Sequence, residues 1–232
     1  MGKRGSGEES IDTGALLAVA LPTGRLFRDA TALFAALGAT EVMTLRESRR
    51  LTCVDRAHGL RFLAVKPVDI PIYVEHGAAD MGVVGKDLIL EQGRDVYEPL
   101  DLGIGPCRLV VAEPATARGR SEPRAWSCLR VATKYPRLAE RHFGGQGIQV
   151  EIVPLAGSVE LAPAMGLADR IVDLVASGRT MRENGLVEVE EILRSSARLI
   201  VNRASLKTRY QAIQQVIEGL RSRMVAAAGD AR

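Results

Sequence analysis

Gly157–Leu186, GSVELAPAMGLADRIVDLVASGRTMRENGL, is the stretch from which the fold of this chain is best predicted. Within it, Ile171–Val175 is a short apolar run that contains one acidic residue, Asp173. The run ends at the small residues Ala176-Ser177-Gly178, and Arg179–Asn184 has the composition of the first turns of a helix. The sequence therefore predicts a buried strand that passes through a tight turn into a helix.

A strand, turn and helix in this order form a possible anion site. Free backbone N–H groups and the positive end of the helix dipole point towards one spot in front of the helix. Ser177 and Thr180 add hydroxyl donors, and the carboxylate of Asp173 could hold sugar hydroxyls, so the pattern suits a phosphoribosyl group. The alternative is that Ser, Gly and Thr are ordinary turn and cap residues, and these residues alone leave both interpretations open.

The composition indicates an ordinary globular protein. The chain has 232 residues, of which 47% are hydrophobic and 25% charged, and this length is sufficient for one large domain or two lobes. A net charge of +3 is too small to predict nucleic-acid binding, and an aromatic content of 4% leaves few side chains on which nucleic-acid bases could stack.

The cysteines and the chain start give the expected compartment. Cys53, Cys107 and Cys128 are an odd number without a C-x-x-C pair, so neither a disulfide framework nor a zinc site is expected. No apolar run reaches transmembrane length, and Met1–Thr13 has no apolar signal core. We expect a cytoplasmic protein with no membrane contact and a disordered tail over residues 1–14.

Short β-like runs alternate with helical runs along the chain, which is typical of α/β proteins with parallel sheets. The predicted elements include strands over Leu129–Thr133 and Val150–Pro154 and helices over Lys86–Gln92, Val159–Met165 and Ser205–Met224. Two such sets lie on either side of Cys107–Pro123. We expect two lobes of mixed or parallel sheet flanked by helices, with a ligand cleft between them at the carboxyl ends of the strands. The predicted lobes are residues 15–106 with 187–232, and residues 107–186.

Four predicted turns after strands carry charge or glycine. Arg25 opens a helix, where it is either simply exposed or binds an anion. Glu47–Arg50 is either a solvated basic loop or part of a site, and Asp69 is either a helix N-cap or a ligand contact. Lys86 and Asp87 follow a glycine in a tight turn that lacks the Walker pattern, and either residue could merely cap the next helix.

Taken together, six ordered motifs resemble the ATP phosphoribosyltransferase family over about residues 16–203. The motifs are the quoted stretch Gly157–Leu186 and ALPTGRL (Ala20–Leu26), SRR (Ser48–Arg50), DIPIYVEHGAADMGVVGKD (Asp69–Asp87), LGIGPCRLVVA (Leu102–Ala112) and VATKYP (Val131–Pro136). The resemblance implies a two-lobed fold like that of type II periplasmic binding proteins. It also implies transfer of the phosphoribosyl group of phosphoribosyl pyrophosphate to N1 of ATP, the first step of histidine biosynthesis.

The resemblance assigns roles to residues of this chain. Arg25, Arg49 and Arg50 would be catalytic and would face the phosphates of both substrates. Contacts to phosphoribosyl pyrophosphate would come from Glu160, Asp173, Ala176, Ser177, Gly178, Arg179 and Thr180. Contacts to ATP would come from Asp69, Tyr73 and Lys86. The cofactor would be Mg²⁺ carried by the substrate, with no metal site of protein ligands alone.

The chain departs from the family pattern at Thr23, Lys66, Ser177 and Met181. The serine keeps a hydroxyl group, whereas lysine in place of arginine keeps the charge but loses the bidentate fork. Because one long helix follows Asn202, the resemblance implies the short form of the enzyme. This form works as a homodimer inside a hetero-oligomer, with a regulatory subunit that resembles histidyl-tRNA synthetase.

Two other functions remain open at this point. Two α/β lobes around a cleft also describe solute-binding proteins and the effector domains of transcription regulators, although the sequence has neither a signal peptide nor a DNA-binding helical domain. The second alternative to an ATP phosphoribosyltransferase is a phosphoribosyltransferase that uses another base. Magnesium-dependent release of pyrophosphate in the presence of ATP distinguishes the three.

Overall fold

The computed structural model describes residues 16–117 and 128–230, with side chains described to residue 226. The predicted disordered tail, residues 1–14, lies outside this range. The predicted α/β class is confirmed, because the described chain forms two mixed sheets flanked by helices. None of the described helices is long and apolar enough to cross a membrane.

The first sheet has six strands in the order β2-β3-β1-β4-β11-β5. Strands β3, β1 and β4 are parallel, and β2 and β11 are antiparallel to their neighbours. The strands of this sheet are β1 (Leu17–Pro22), β2 (Thr52–Asp55), β3 (Leu60–Val65), β4 (Met81–Gly85), β5 (Tyr97–Asp101) and β11 (Ala197–Val201).

The second sheet has five strands in the order β10-β6-β9-β7-β8, of which β9, β7 and β8 are parallel. Its strands are β6 (Cys107–Pro114), β7 (Leu129–Thr133), β8 (Val150–Pro154), β9 (Arg170–Val175) and β10 (Leu186–Ser195). Strand β10 pairs along its whole length with β6. Residues 187–195 therefore lie in the second sheet, and not in the first lobe, where the sequence placed them. The chain returns to the first sheet only at Ala197.

Eight helices flank the sheets in the described chain. They are α1 (Phe27–Ala36), α2 (Thr44–Glu47), α3 (Ile70–Glu75), α4 (Lys86–Gln92), α5 (Pro136–Gly145), α6 (Arg179–Glu183), α7 (Arg203–Thr208) and α8 (Tyr210–Asp230). One core lies between the first sheet and α1 and α8, where Phe34 and Phe62 meet edge to face with ring centroids 5.2 Å apart.

A second core joins the two sheets. It combines apolar residues of β1, α3 and α4 with residues of α5, β6 and β7, so the two sheets share this core. At its edge, the buried carboxylate of Glu91 on α4 accepts hydrogen bonds from the backbone N–H groups of Arg137 (3.0 Å) and Leu138 (2.9 Å). These N–H groups belong to the first turn of α5, where the helix itself supplies no acceptor. Helix α4 therefore caps a helix of the second sheet.

Two predicted helices differ from the observed ones. Val159–Met165 was predicted as a helix, but only Val159–Leu161 forms one 3₁₀ turn. Pro163 lacks an N–H donor and Gly166 has a positive φ of 70°, so the helix cannot continue.

The predicted helix Ser205–Met224 is broken into α7 and α8 at Arg209, whose φ of −127° is not helical. The Arg209 guanidinium donates to the carbonyl of Leu16 (2.8 Å) and to Asp80 (3.2 Å). These contacts with the start of the first sheet favour the break, and no local pattern in the sequence marks it.

A buried polar pair supports the amino-terminal edge of β4. Asp80 accepts hydrogen bonds from the Ala18 N–H (2.8 Å) and the Ser205 hydroxyl (2.6 Å). The Asn202 amide donates to the carbonyls of Val74 (2.8 Å) and Glu75 (3.0 Å), which end α3. Its oxygen accepts from the Ser205 N–H (2.8 Å), which begins α7. One amide therefore joins the end of one helix to the start of another.

We predict that Asn202→Ala lowers the free energy of unfolding by about 2–3 kcal/mol, because it removes three hydrogen bonds to backbone groups, of which the Val74 carbonyl and the Ser205 N–H are buried. Urea denaturation measures the change. Asn184→Ala, which removes one exposed hydrogen bond to the Thr180 carbonyl, is the control and should cost about 1 kcal/mol or less. An equal loss in both variants would contradict the capping role of Asn202.

Candidate active site

The carboxyl ends of parallel strands in both sheets carry several of the predicted site residues, together with Lys134, for which no role is predicted from the sequence. In the first sheet, β1 is followed by Thr23–Arg25 and β4 by Lys86. In the second sheet, β7 is followed by Lys134 and β9 by Ala176–Thr180. This arrangement is the one that places ligands at strand ends in α/β proteins.

The predicted phosphate loop leaves β9 at Val175 and enters α6 at Arg179. Gly178 has a φ of 70°, a left-handed conformation that favours glycine. A Cβ atom there would lie 2.9 Å from the Arg182 guanidinium, which donates to the Ser177 carbonyl (3.2 Å). Helix α6 has five residues only, so its dipole is weak, and an anion would depend mainly on the N–H groups and hydroxyls of the loop.

One cavity of about 250 Å³ brings most of the predicted residues together. All seven residues expected to contact phosphoribosyl pyrophosphate line it, and so does Arg25. Those residues are Glu160, Asp173, Ala176, Ser177, Gly178, Arg179 and Thr180. The lining therefore combines the loop, two carboxylates and Arg25.

Asp173 lies on β9, half-buried, and its environment disfavours the charged form. Burial, with the nearby charge of Glu160, raises the pKa of Asp173 to about 6, although its carboxylate accepts the Leu174 N–H and Lys134 lies close enough to oppose the shift. Two carboxylates with one raised pKa face the same cavity. Both can accept hydrogen bonds from neighbouring hydroxyl groups of a sugar.

Arg25 is exposed to the cavity. Its guanidinium contacts the Cys107 sulfur at 3.9 Å, and no carboxylate lies within ion-pair distance of it among the described residues. Burial raises the pKa of the Cys107 thiol, with Asp87 adding to the effect, so the thiol stays protonated near neutral pH. Cys107 therefore packs beside Arg25 as an uncharged group, and the guanidinium is available to an anion.

Arg49 and Arg50 lie on an exposed loop between α2 and β2, outside the cavity. The loop leads into β2, which pairs with β3 so that Thr52 is opposite Leu63, near the carboxyl end of β3. Strand β1 pairs with β3 on its other side. Neighbouring strands lie about 4.8 Å apart, so this loop lies roughly 10 Å from the end of β1 along the same edge of the sheet. Both arginines share that edge with Arg25.

None of the three predicted ATP contacts lines this cavity or the smaller cavity beside it. Asp69 precedes α3 but makes no side-chain cap bond, and Tyr73 on α3 is 42% exposed. The Lys86 amine donates to the carboxylate of Glu98 on β5 at 2.5 Å, so its positive charge is already paired within the chain. Their proposed role is not supported by a shared cavity.

A second cavity of about 190 Å³ lies beside the first and shares Arg25, Cys107 and Leu174 with it. Lys134, Tyr135 and Asp87 also line it. No role is predicted from the sequence for Lys134 or Tyr135, although both belong to the motif VATKYP. The signal available was their position directly after a predicted strand, where the other site residues also lie.

Comparisons with known proteins show the family to which the chain is similar. Residues 66–222 match the family model "HisG: ATP phosphoribosyltransferase". The chain is 54% identical to the ATP phosphoribosyltransferase of Syntrophotalea carbinolica over 91% of the chain and 96% of that protein. It is 50% identical to the one of Geobacter metallireducens over 88% and 96%.

Solved structures give the same result. The chain matches a chain of the ATP phosphoribosyl transferase (HisG:HisZ) complex from Thermotoga maritima with a TM-score of 0.79 and 31% identity, over 91% of this chain and all of that one. The alkanesulfonate-binding protein SsuA of Xanthomonas axonopodis matches with a TM-score of 0.51 and 14% identity, over 89% of this chain and 72% of that one. This second match concerns the fold alone, and it agrees with the expected likeness to periplasmic binding proteins.

We predict that Gly178→Val weakens binding of phosphoribosyl pyrophosphate by tenfold or more, because the added side chain blocks approach to the loop. Gly166→Val is the matched control: Gly166 also has a φ of 70°, but it lines neither cavity. Both variants should lose about 1–2 kcal/mol of stability from backbone strain. If calorimetry shows that the affinity for phosphoribosyl pyrophosphate falls equally in both variants, the loop is not part of the binding site.

We also predict that affinity for phosphoribosyl pyrophosphate falls as the pH drops below about 6. The pKa of Asp173 is raised to about 6, so its ionised form is complete only above that pH and is lost below it. Binding that needs the carboxylate weakens up to tenfold per pH unit below 6. The 5-phosphate titrates in the same range, so Asp173→Asn serves as the reference. The wild type should show the steeper dependence, and identical slopes would exclude the carboxylate from binding.

Proposed function

The chain belongs to the ATP phosphoribosyltransferase family, and we propose that the cleft between its two sheets is where it joins N1 of the adenine of ATP to C1 of phosphoribosyl pyrophosphate. The reaction is the first step of histidine biosynthesis and gives phosphoribosyl-ATP and pyrophosphate. The observation that supports this site best is the single cavity shared by the phosphate loop, two carboxylates and Arg25.

We propose that the loop holds the 5-phosphate of phosphoribosyl pyrophosphate. Its N–H groups and the hydroxyls of Ser177 and Thr180 are available on the cavity wall. Glu160 and Asp173 would accept hydrogen bonds from the two ribose hydroxyls. These contacts fix both ends of the sugar, so that C1 faces the remaining part of the cleft.

In the reaction, the bond between C1 and the pyrophosphate oxygen breaks, and its electron pair leaves with the pyrophosphate. The lone pair of adenine N1 forms the new bond at the opposite face of C1, with inversion. Because N1 has this lone pair, no strong base is needed. Negative charge grows on the departing group, so the main requirement is for fixed cations near it. Arg25, with Arg49 and Arg50 on the same sheet edge, would supply them.

Magnesium fits this site as a substrate-borne ion. Glu160 and Asp173 are the two carboxylates of the first cavity, and no cluster of three or more metal-binding side chains occurs among the described residues. Mg²⁺ commonly uses one or two carboxylates together with substrate phosphates, so this pair could hold an ion bound to the diphosphate. The ion would offset part of the charge of the leaving group.

The remaining assignments are extensions of this proposal. Asp69, Tyr73 and Lys86 stay predicted ATP contacts without a cavity that unites them. A cytoplasmic location is proposed, since ATP is a substrate. We also propose a homodimer that binds a regulatory subunit of the HisZ type, by analogy with the Thermotoga maritima complex.

Incubation of the purified chain with ATP, phosphoribosyl pyrophosphate and Mg²⁺, with and without a HisZ-type subunit, tests the function. Pyrophosphate release should require all three components, and mass spectrometry should find the adduct of ATP and ribose phosphate. Replacement of ATP by GTP should give no adduct. Tight binding of either substrate without any adduct would favour a binding module instead.

We predict that Arg49→Ala slows the chemical step by roughly 10²-fold and changes substrate dissociation constants less, because the charge it meets develops in the transition state. Single-turnover rates and equilibrium binding separate the two effects. Arg46→Ala is the matched control, since Arg46 lies on the exposed face of α2 and loses the same charge. Weaker binding with an unchanged single-turnover rate would exclude a catalytic role for Arg49.

We predict that histidine does not inhibit the isolated chain and that inhibition appears only with the regulatory subunit. The first cavity of the cleft is assigned to phosphoribosyl pyrophosphate, and we propose that the feedback signal arrives through a second protein that changes the cleft. Inhibition curves on the chain alone and on the complex measure this. Strong inhibition of the chain alone would place a histidine site within these 232 residues.

A further inference from the structure

The second cavity has a cationic wall for which no function has been assigned. It adjoins the cavity of the phosphate loop and shares Arg25 with it, but none of the residues Ala176–Thr180 lines it. Lys134 contributes the other basic side chain. The acidic member of the lining, Asp87, accepts hydrogen bonds from the Tyr135 hydroxyl (3.0 Å) and the Ser195 hydroxyl (2.6 Å). Its carboxylate is thus already solvated by protein donors.

The backbone of Lys134 is fixed on both sides. Thr133 is fully buried and donates its hydroxyl to the Val172 carbonyl (2.7 Å). Tyr135 is 3% exposed, and its N–H donates to the Thr133 hydroxyl (2.8 Å). Lys134 alone of the three is exposed. Two anchored neighbours therefore fix the backbone of Lys134 at the cleft, from which its side chain extends.

The charge of Lys134 is not used within the described part of the chain. No carboxylate lies within 4.0 Å of its amine among the described residues, in contrast to Lys86, which pairs with Glu98. The amine lies close enough to Asp173 for its positive charge to oppose the rise in the pKa of that carboxyl group. A cation that is positioned but unpaired beside a polyphosphate reaction is suited to bind phosphate oxygens.

We propose that Lys134, together with Arg25, binds the polyphosphate group of a substrate in the second cavity. This inference rests on the proposed function. Phosphoribosyl pyrophosphate carries its 5-phosphate and its diphosphate on opposite sides of the ribose. If the loop holds the 5-phosphate and the two carboxylates hold the ribose, the diphosphate extends away from the loop, towards Arg25 and Lys134. The triphosphate of ATP is the other group with the same chemistry.

The experiment compares Lys134→Met with Lys207→Met. The second variant removes one exposed positive charge from α7, which lies near the amino-terminal end of β4, whereas the cleft lies at the carboxyl end. Calorimetry with four probes measures binding: magnesium pyrophosphate, phosphoribosyl pyrophosphate, ribose 5-phosphate and magnesium ATP. Lys134→Arg, which keeps the charge, is the rescue variant. Thermal unfolding of all variants checks that the fold is intact.

Lys134→Met should weaken binding of pyrophosphate and phosphoribosyl pyrophosphate by roughly 10- to 100-fold, the usual effect of losing a hydrogen bond to a charged group. Ribose 5-phosphate, which lacks the diphosphate, should bind as to the wild type, and Lys134→Arg should restore most of the affinity. Weaker binding of ATP alone would also support the proposal and would assign the site to the triphosphate.

Two results would overturn the proposal. Unchanged affinities for pyrophosphate, phosphoribosyl pyrophosphate and ATP would show that Lys134 touches no phosphate. An equal loss for ribose 5-phosphate would show that Lys134 acts only by balancing the charge of Asp173. The proposed function is judged separately, since its failure would appear in the wild type as the absence of adduct.

Discussion

Two buried carboxylates one turn apart on α4 hold the two halves of the cleft together. Glu91 caps the first turn of α5, and Asp87 accepts the hydroxyls of Tyr135 and Ser195. Both side chains belong to the layer of the first sheet, whereas these donors belong to the layer of the second sheet. A buried charge is tolerated only where several donors face it, so this contact allows one relative position of α4 and the segment after β7.

That constraint decides where the functional groups lie. The segment held by Asp87 is the continuation of β7, and Lys134 is part of it. Strand β9 is the neighbour of β7 and ends in the phosphate loop. Arg25 follows the end of β1 in the first sheet, and its guanidinium contacts the sulfur of Cys107, which begins β6 of the second sheet. The interactions that join the sheets therefore also set the distance between the cations of one sheet and the anion loop of the other.

Much of the fold follows from local sequence patterns. Helix α4 and strands β7 and β8 occur with the predicted bounds, because each is a continuous apolar or amphipathic run that ends at a glycine or a proline or at a polar turn. The patterns failed where a distant residue decides the backbone. The break at Arg209 is favoured by its hydrogen bond to Asp80, and β2 is a short edge strand that pairs with β3.

The candidate site divides in the same way. The phosphate loop could be predicted because its residues are consecutive, and the role of Glu160 came from the family resemblance. Lys86 could not be judged from the sequence, since its partner Glu98 belongs to β5, across β11 in the sheet. The role of Lys134 could not be predicted from the sequence, because it depends on the absence of a carboxylate within ion-pair distance of its amine among the described residues, and only the three-dimensional structure shows this.

The central claim is that the phosphate loop and the ribose carboxylates of one sheet and the cations of the other bind the same molecule. A crystal structure of the chain with phosphoribosyl pyrophosphate and Mg²⁺ tests it most directly. The account predicts the 5-phosphate within hydrogen-bond distance of the N–H groups of Ser177–Thr180, the ribose hydroxyls at Glu160 and Asp173, and the diphosphate facing Arg25. A ligand bound outside this cleft, or reversed so that the diphosphate occupies the loop, would contradict it.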